Sequence, residues 1–335
     1  MHTTPTRPAT ILVRWMLIAL GMMLIGCSES PPGPKSGDAI EQTSEAVESR
    51  FVVLSPAIAV MLRDLGFEDS IVGRHSYDSA LSDSIPAVGS HLDIDYELLI
   101  ELGPTDVFFE KLASDIPEPM RTLAEANGWR IWTYELKTLD DIATTLDDLY
   151  LKLVGFPDPS KPGAGLIDFE VDPTAKFEIE LPSARLARSW SPMGKVATNA
   201  GRVLILAGVD PPGAMGPGSF HAQLIDRLGI ASAIEDGGMW QELDYEDIIE
   251  LAPDSILIFT PRAPDADDLI GEPEPMSWDE LVAKVGKLAT LPIPAVQSHR
   301  IAIIEHPLGL LPSSSLGQVG DEIADVIRRW DQAQP

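Results

Sequence analysis

Apolar residues fall into short runs separated by stretches with helical spacing. Phe51-Val52-Val53-Leu54 is one such run, stopped by Ser55-Pro56, and apolar positions then recur through Met61, Leu62 and Leu65 up to Gly66. Ile71-Val72-Gly73 and Ala87-Val88 read as strands, Asp95 to Leu102 as a helix, Val107-Phe108-Phe109 as a strand, Pro117 to Asn127 as a helix and Arg130 to Tyr134 as a strand. The pattern restarts with a strand over Arg202 to Leu206, a Gly/Pro-rich loop and a helix over Phe220 to Leu228. Asp244 to Leu251 is a predicted helix, Ser255 to Ile258 a strand, Asp279 to Leu288 a helix, Arg300 to Ile304 a strand and Gln318 to Trp330 a closing helix. Strands alternating with helices predict parallel sheets covered on both faces.

An internal repeat splits this pattern in two. Residues 95–104 read DYELLIELGP and residues 244–253 read DYEDIIELAP, with seven of ten positions identical at an offset of 149. Each copy precedes a short apolar strand, so two lobes of similar design are the simplest explanation. The expected fold class is α/β: two Rossmann-like lobes, each a parallel sheet flanked by helices, joined by a mainly helical connector. The expected boundaries are an N-terminal lobe over 51–137, a connector over 138–200 and a C-terminal lobe over 201–335. Within the connector Asp140 to Leu153 reads as helical. Prolines 157, 159, 162, 173 and 182 exclude one unbroken helix through the rest. Ser183 to Ala200 reads as further helical pieces broken near Pro192 and Gly194.

The amino terminus changes the picture from fold to location. Arg7 and Arg14 precede an apolar run from Trp15 to Ile25, shorter than the ~20 residues that span a bilayer but fitting the apolar core of a signal peptide. It ends in Leu24-Ile25-Gly26-Cys27, the pattern at which bacterial lipoproteins are cleaved and lipidated on the cysteine. Cys27 is the single cysteine of the 335-residue chain, so no internal disulfide is possible. Residues 1–26 are therefore expected to be a lipoprotein signal, and 27–50, rich in Ser, Pro, Gly and Glu, a flexible tether. The mature protein would sit outside the cytoplasmic membrane, held by its lipid. A net charge of −28, from 52 acidic and 24 basic residues, repels phosphate backbones and excludes nucleic acid as a partner.

With these motifs in order, the chain resembles the periplasmic binding proteins for cobalamin, haem and ferric siderophores. The resemblance rests on Leu54-Ser55-Pro56-Ala57, on Gly73 with Tyr77, and on Val88-Gly89-Ser90 before the first repeat helix. Further along it rests on Gly216-Pro217-Gly218-Ser219-Phe220, on Trp240 with the second repeat helix, and on Pro294-Ala295-Val296 leading to Arg300-Ile301. It covers most of 51–136 and 201–331. The connector departs from the family pattern, with a Pro-rich insertion where relatives have one long helix.

The resemblance implies a monomeric ABC-importer component that captures a corrinoid, haem or ferric chelate and passes it to a permease dimer, with no resident cofactor. The implied ligand loops contain Ser55, Pro56, His75, Tyr77, Ser90, His91 and Glu110 from one lobe, and Ser219, Phe220, His221, Trp240 and His306 from the other. Tyr77 and Trp240 match positions where relatives present aromatics to a planar ligand. Trp129, Trp132 and Trp330 are expected in the core instead. Glu97 and Glu246, equivalent in the repeat, have two open roles. Acidic residues in a first helical turn favour the helix dipole by ~0.3–1 kcal/mol; alternatively, as the resemblance implies, each meets a basic residue on one half of the permease. The repeat favours docking.

Two readings also stay open for the loop histidines, as hydrogen-bonding groups or as metal or axial ligands, with His91 and His221 foremost for ligation. His91 stands where a cobalamin-binding relative has Trp, which favours a metal or haem. The chain contains no G-x-S-x-G and no H-E-x-x-H motif, and no cysteine is left as a nucleophile, so it is not expected to be an enzyme. The alternative reading is an exported metal-ion-binding protein, or a metal-dependent enzyme or sensor, on the same two-lobe scaffold.

Overall fold

The structure is a computed structural model and describes residues 48–90, 92–154, 180–260 and 276–333. The expected signal peptide, most of the tether, Cys27, His91 and most of the Pro-rich insertion lie outside the described residues. The first half forms β1 (Phe51–Leu54), α1 (Pro56–Asp64), β2 (Ile71–His75), β3 (Ala87–Gly89), α2 (Tyr96–Leu102), β4 (Asp106–Glu110), α3 (Glu118–Asn127) and β5 (Arg130–Tyr134). These five strands make one parallel sheet in the order β3-β2-β1-β4-β5. Central β1 is buried along its whole length, which is why it reads as an unbroken apolar run rather than an alternating one.

The connector supplies α4 (Leu139–Leu149), a π-helical turn over Tyr150–Val154, α5 (Pro182–Ser189) and α6 (Lys195–Asn199). Thr138 and Asp141 form a reciprocal capping box that starts α4, and Pro182 occupies the first turn of α5, where its missing N–H costs nothing. The expected break near Pro192 and Gly194 separates α5 from α6.

The second half forms β6 (Arg202–Val209), β7 (Pro212–Met215), α7 (Phe220–Arg227), β8 (Ala231–Ser232), β9 (Trp240–Glu242), α8 (Tyr245–Leu251), β10 (Ser255–Phe259), α9 (Trp278–Val285), α10 (Pro294–Gln297), β11 (Ile301–Ile304) and α11 (Leu316–Gln332). Its sheet runs β11-β10-β6-β7-β9, with β8 beside β6. This sheet is mixed rather than parallel: β7 runs antiparallel to both β6 and β9. Val209 pairs with Pro212, so the chain reverses within Asp210-Pro211 and the supposed Gly/Pro loop is half hairpin. The sequence Pro212-Gly213-Ala214-Met215 lacks the β-branched residues that mark strands, and proline is tolerated there as a first strand residue.

The repeat is structural as well as sequential. Asp95 accepts from Leu98 N at 2.9 Å to cap α2, and Asp244 accepts from Glu246 and Asp247 N at 2.8 Å to cap α8. Both helices end in a left-handed residue before proline: Gly103 at φ +53° and Ala252 at φ +43°. An alanine there is strained by ~1–2 kcal/mol, partly offset by the smaller chain entropy it loses on folding. Ala252→Gly is therefore expected to stabilise the protein by about 0.5–1 kcal/mol, read as a higher urea midpoint at unchanged slope.

One apolar core links the two halves. It includes Phe51, Val53 and Ile58 of the first, Leu146, Leu186 and Trp190 of the connector, and Leu224, Leu257, Leu316 and Ile323 of the second. Trp190, 3% exposed, donates its indole N–H to Leu316 O at 2.9 Å. Polar ties reinforce the joint: Ser314 Oγ donates to Asp64 Oδ2 at 2.6 Å and Leu139 N to Gln223 Oε1 at 3.1 Å. Trp129, Trp132 and Trp330 pack against the cores as half-buried residues.

Candidate ligand-binding site

Chemistry concentrates at the carboxyl ends of both sheets, where βα loops leave backbone and side chains exposed. In the first half, Ser55 follows β1 and does two things. Its Oγ accepts from Ile58 N at 3.2 Å to cap α1, with Pro56 in the first turn, and donates to Glu110 Oε2 at 2.7 Å. The exposed Glu110, at the end of β4, is thereby aimed by a buried serine.

The loop after β2 is built around its own polar groups. His75 is buried and its Nδ1 accepts from Tyr77 N at 3.1 Å. Arg74 donates to the carbonyls of His75 and Asp78 at 3.4 and 3.2 Å and pairs with Asp83 at 2.8 Å. Tyr77 is left 82% exposed on this scaffold, its ring centre 5.7 Å from that of His75. Ser90, half-buried, closes the neighbouring turn by accepting from Leu92 N at 3.3 Å.

Asp78 is the strained member of the loop. Its Oδ1 accepts from Ala80 and Leu81 N, while Oδ2 is sealed without a partner among the described residues. Burial holds its carboxyl above the usual range against the pull of those hydrogen bonds and of Arg74. A raised folded pKa means this group favours folding fully below the unfolded value near 3.9, and that contribution is lost as pH rises through the folded value. Asp78→Asn is expected to gain stability relative to the parent as pH goes from 4 to 7. A pH-independent difference in urea midpoints would remove the assignment.

In the second half the structure gathers Ser219, Phe220, His221 and Trp240 around a cavity of about 580 Å³, within the ~300–1,000 Å³ span of ligand pockets. Its walls are completed by Ala207 and Gly208 of β6, Met215, Met239, Phe259, Thr260 and Leu310, and among the described residues no charged side chain lines it. Ser219 caps α7 by accepting from Ala222 N at 3.1 Å, which places Phe220 and His221 in the helix's first turn at the cavity wall. His221 is buried, packs edge-on against Phe259 at 4.6 Å and bonds through Nε2 to Gly309 O at 2.7 Å.

Trp240 sits on edge strand β9 rather than in a loop, and remains 53% exposed. A Cβ on Gly213 would meet its Cζ2 at 2.1 Å, so the indole lies on the bare backbone of β7. That close approach explains the glycine and fixes the ring. Met239 (64% exposed) and Leu310 (39%) extend the apolar surface beside it. Sequence reasoning reached Trp240 and its loop but named neither Leu310 nor Phe259. The signals available were the Gly237-Gly238-Met239-Trp240 run and an aromatic ending an apolar strand.

His306 follows β11, in the loop where a ligand residue is expected. It is buried, its Nδ1 accepting from Leu308 N at 3.1 Å and its Nε2 lying 3.0 Å from Gln318 Oε1 of α11. Among the described residues no three His, Cys, Asp or Glu side chains gather as a metal site, and no helix is long and apolar enough to cross a membrane. Glu97 and Glu246 are both exposed, in the first turns of α2 and α8.

No model of a protein family and no curated protein matches the chain. Solved structures do. The periplasmic haem-binding protein RhuT from Roseiflexus sp. RS-1, in apo form, aligns at TM-score 0.54 and 21% identity over 86% of this chain and 100% of its own. The periplasmic vitamin B12-binding protein BtuF of Vibrio cholerae aligns at 0.53 and 16% over 85% and 98%. A periplasmic binding protein from Veillonella parvula aligns at 0.55 and 15% over 84% and 92%. The chain has the fold of the periplasmic haem- and vitamin B12-binding proteins. In this binding-protein fold, Tyr77 and Glu110 stand at strand ends of one sheet and the Trp240 cavity at strand ends of the other. At these identities the likeness establishes the architecture, and the cargo has to be argued from the site.

Proposed function

We propose that the protein is an extracytoplasmic substrate-binding lipoprotein that captures a cobalamin-, haem- or ferric-siderophore-type ligand between two lobes and delivers it to an ABC importer. The observation that carries this reading is the cavity beside Trp240, whose described lining carries no charged side chain. A 53%-exposed indole, immobilised on Gly213 and flanked by Met239 and Leu310, is apolar surface whose exposure costs free energy unless something covers it. A large, flat, partly apolar chelate covers it, and aromatic faces bind such ligands well. Tyr77, Ser55, Ser90 and Glu110 supply the polar counterpart from the first lobe.

In the same reading the lobes are 51–137 and 201–335, joined by the 138–200 connector. Cys27 carries the lipid, and the protein works as a monomer. Glu97 and Glu246 meet basic residues on the two halves of the permease, where charge pairs set orientation and association rate more than affinity. The solved haem- and vitamin B12-binding relatives support the choice of cargo class.

The test is a thermal-shift and absorbance screen against cobalamin, ferric protoporphyrin, ferric siderophores and divalent metals. A ligand bound only by the native state adds RT ln(1 + [L]/Kd), about 2.7 kcal/mol at 100-fold Kd. One macrocycle or chelate is expected to raise the melting midpoint in the parent and equally in the Glu97→Ala/Glu246→Ala protein, which would lose only delivery to the permease. No shift with any of them would overturn the capture reading.

A further inference from the structure

Two buried histidines hold one turn, and the turn carries part of the cavity wall. His306, two residues past β11, accepts from Leu308 N at 3.1 Å through Nδ1. His221, in the first turn of α7, lies 2.7 Å through Nε2 from Gly309 O. Leu310, next along, lines the cavity beside Trp240 and is 39% exposed. The turn packs against His306 itself: Gly309 N donates to His306 O at 3.0 Å, and a Cβ on Gly309 would come 3.1 Å from His306 Cβ. Ser315, just before α11, donates its hydroxyl to Leu308 O at 3.1 Å and ties the far side.

The two rings differ in what a second proton does. A backbone N–H only donates, so His306 presents Nδ1 to Leu308 N as a lone pair. Its proton stays on Nε2, 3.0 Å from Gln318 Oε1 of α11. Protonating His306 sets an Nδ1–H against the Leu308 N–H, donor facing donor in a buried site, and that bond is lost. His221 meets the turn the other way round. A carbonyl only accepts, so Nε2 already carries the proton, and a second one leaves that bond in place. Burial also lowers the pKa of His221 and keeps it neutral.

The charged groups around His306 give the ring a second place to go. On α11, Gln318 is neutral, whereas Glu322 is acidic, half-buried and without a hydrogen bond or ion pair among the described residues. Burial raises the Glu322 carboxyl above its ordinary range, a positive His306 pulls it back, and Asp321 and Asp325 push it up. Glu305, beside His306 in the chain, is already paired with Lys284 of α9. Asp64 of α1 touches the same loop at Ser314 and is paired with Arg63.

We propose that His306 is a proton switch on cargo retention: neutral, it holds Leu310 in the cavity wall; protonated, it releases Leu308 N, turns toward Glu322 and loosens that wall. This rests on the capture reading above and adds its regulation. The cargo-holding form carries one proton fewer, so the cargo's Kd rises as pH falls through the histidine range. One linked proton gives at most about tenfold per pH unit.

The full-length protein, labelled with nitrogen-15 at leucine and histidine, would be followed by nuclear magnetic resonance from pH 8 to 5.5 without cargo. The Leu308 amide is expected to titrate together with the His306 ring, while His221 keeps its Nε2 proton throughout. Cyanocobalamin and ferric protoporphyrin IX would each be titrated at pH 7.5 and 5.5 into parent, His306→Asn and Glu322→Gln. Asparagine keeps an acceptor near the Nδ1 position and cannot titrate. Its Kd is expected to change less than about twofold where the parent's rises about three- to tenfold. Glu322→Gln is expected to keep the pH 7.5 affinity and to narrow the parent's change. A Leu308 amide that stays put from pH 8 to 5.5, or the same pH dependence of binding in parent and His306→Asn, would overturn the switch. Should His306→Asn fail to fold, the parent's Leu308 amide decides alone. If neither cargo probe binds at pH 7.5, capture of this ligand class falls, and the amide titration still decides whether the turn answers to protons.

Discussion

Asp106→Ala is expected to cost about 3–5 kcal/mol of unfolding free energy, among the largest single losses open to this protein. Asp106 is 0% exposed at the start of β4, and its two oxygens take four donors. Arg130 Nε and Trp132 Nε1 reach Oδ1 at 2.7 and 2.6 Å, and Arg130 Nη2 and Thr105 Oγ1 reach Oδ2 at 2.9 and 2.7 Å. Removing the carboxylate leaves the indole N–H without its acceptor and the guanidinium without its counter-charge, while the threonine hydroxyl keeps the Arg50 carbonyl at 3.2 Å. The Arg130 side chain is 63% exposed and can return to water, so the loss falls mainly on Trp132. Trp132 stacks on Phe108 at 5.4 Å, which carries the damage into the core. Urea unfolding measures this directly. A loss below ~1 kcal/mol at unchanged slope would show that water satisfies the freed donors.

How much of this was legible in the sequence depended on whether local chemistry and tertiary context agreed. β1, buried on both faces, is apolar without interruption, and its following Ser-Pro announces the cap and first turn of α1. The repeat marked α2 and α8 because Asp caps, Glu residues and a closing proline impose the same helix twice. β7 and β9 were not legible. Pro212-Gly213-Ala214-Met215 becomes a strand through pairing with β6 and β9, and nothing in its own residues demands that. Trp240 was singled out as a ligand residue but assigned to a loop, because a three-residue edge strand is too short to show alternation. The histidines separate for the same reason. Sequence places His75, His221 and His306 alike after strands, whereas the partners at 3.1, 2.7 and 3.0 Å that distinguish them come from Tyr77, Gly309 and Gln318.

Gly213→Val is expected to damage cargo binding almost as much as Trp240→Ala, although it leaves the tryptophan in the chain. Any Cβ at position 213 would come within 2.1 Å of Trp240 Cζ2, and a ring cannot yield there without leaving the β7 backbone. If the indole is a fixed platform for the ligand, moving it and deleting it remove the same contact, worth about 2–4 kcal/mol, or ~30- to 1,000-fold in Kd. The two variants differ in stability in a way that makes the comparison informative. Trp240 is 53% exposed, so its deletion leaves the core intact, whereas valine at the buried Gly213 overpacks the sheet by ~1–3 kcal/mol. Titration with whichever cargo the thermal screen identifies, followed by tryptophan fluorescence, reads both effects. Parent-like affinity in folded Gly213→Val protein would mean that the ligand follows the ring wherever it goes. The fixed geometry on β7 would then have no part in recognition, and Trp240 would act through its area alone.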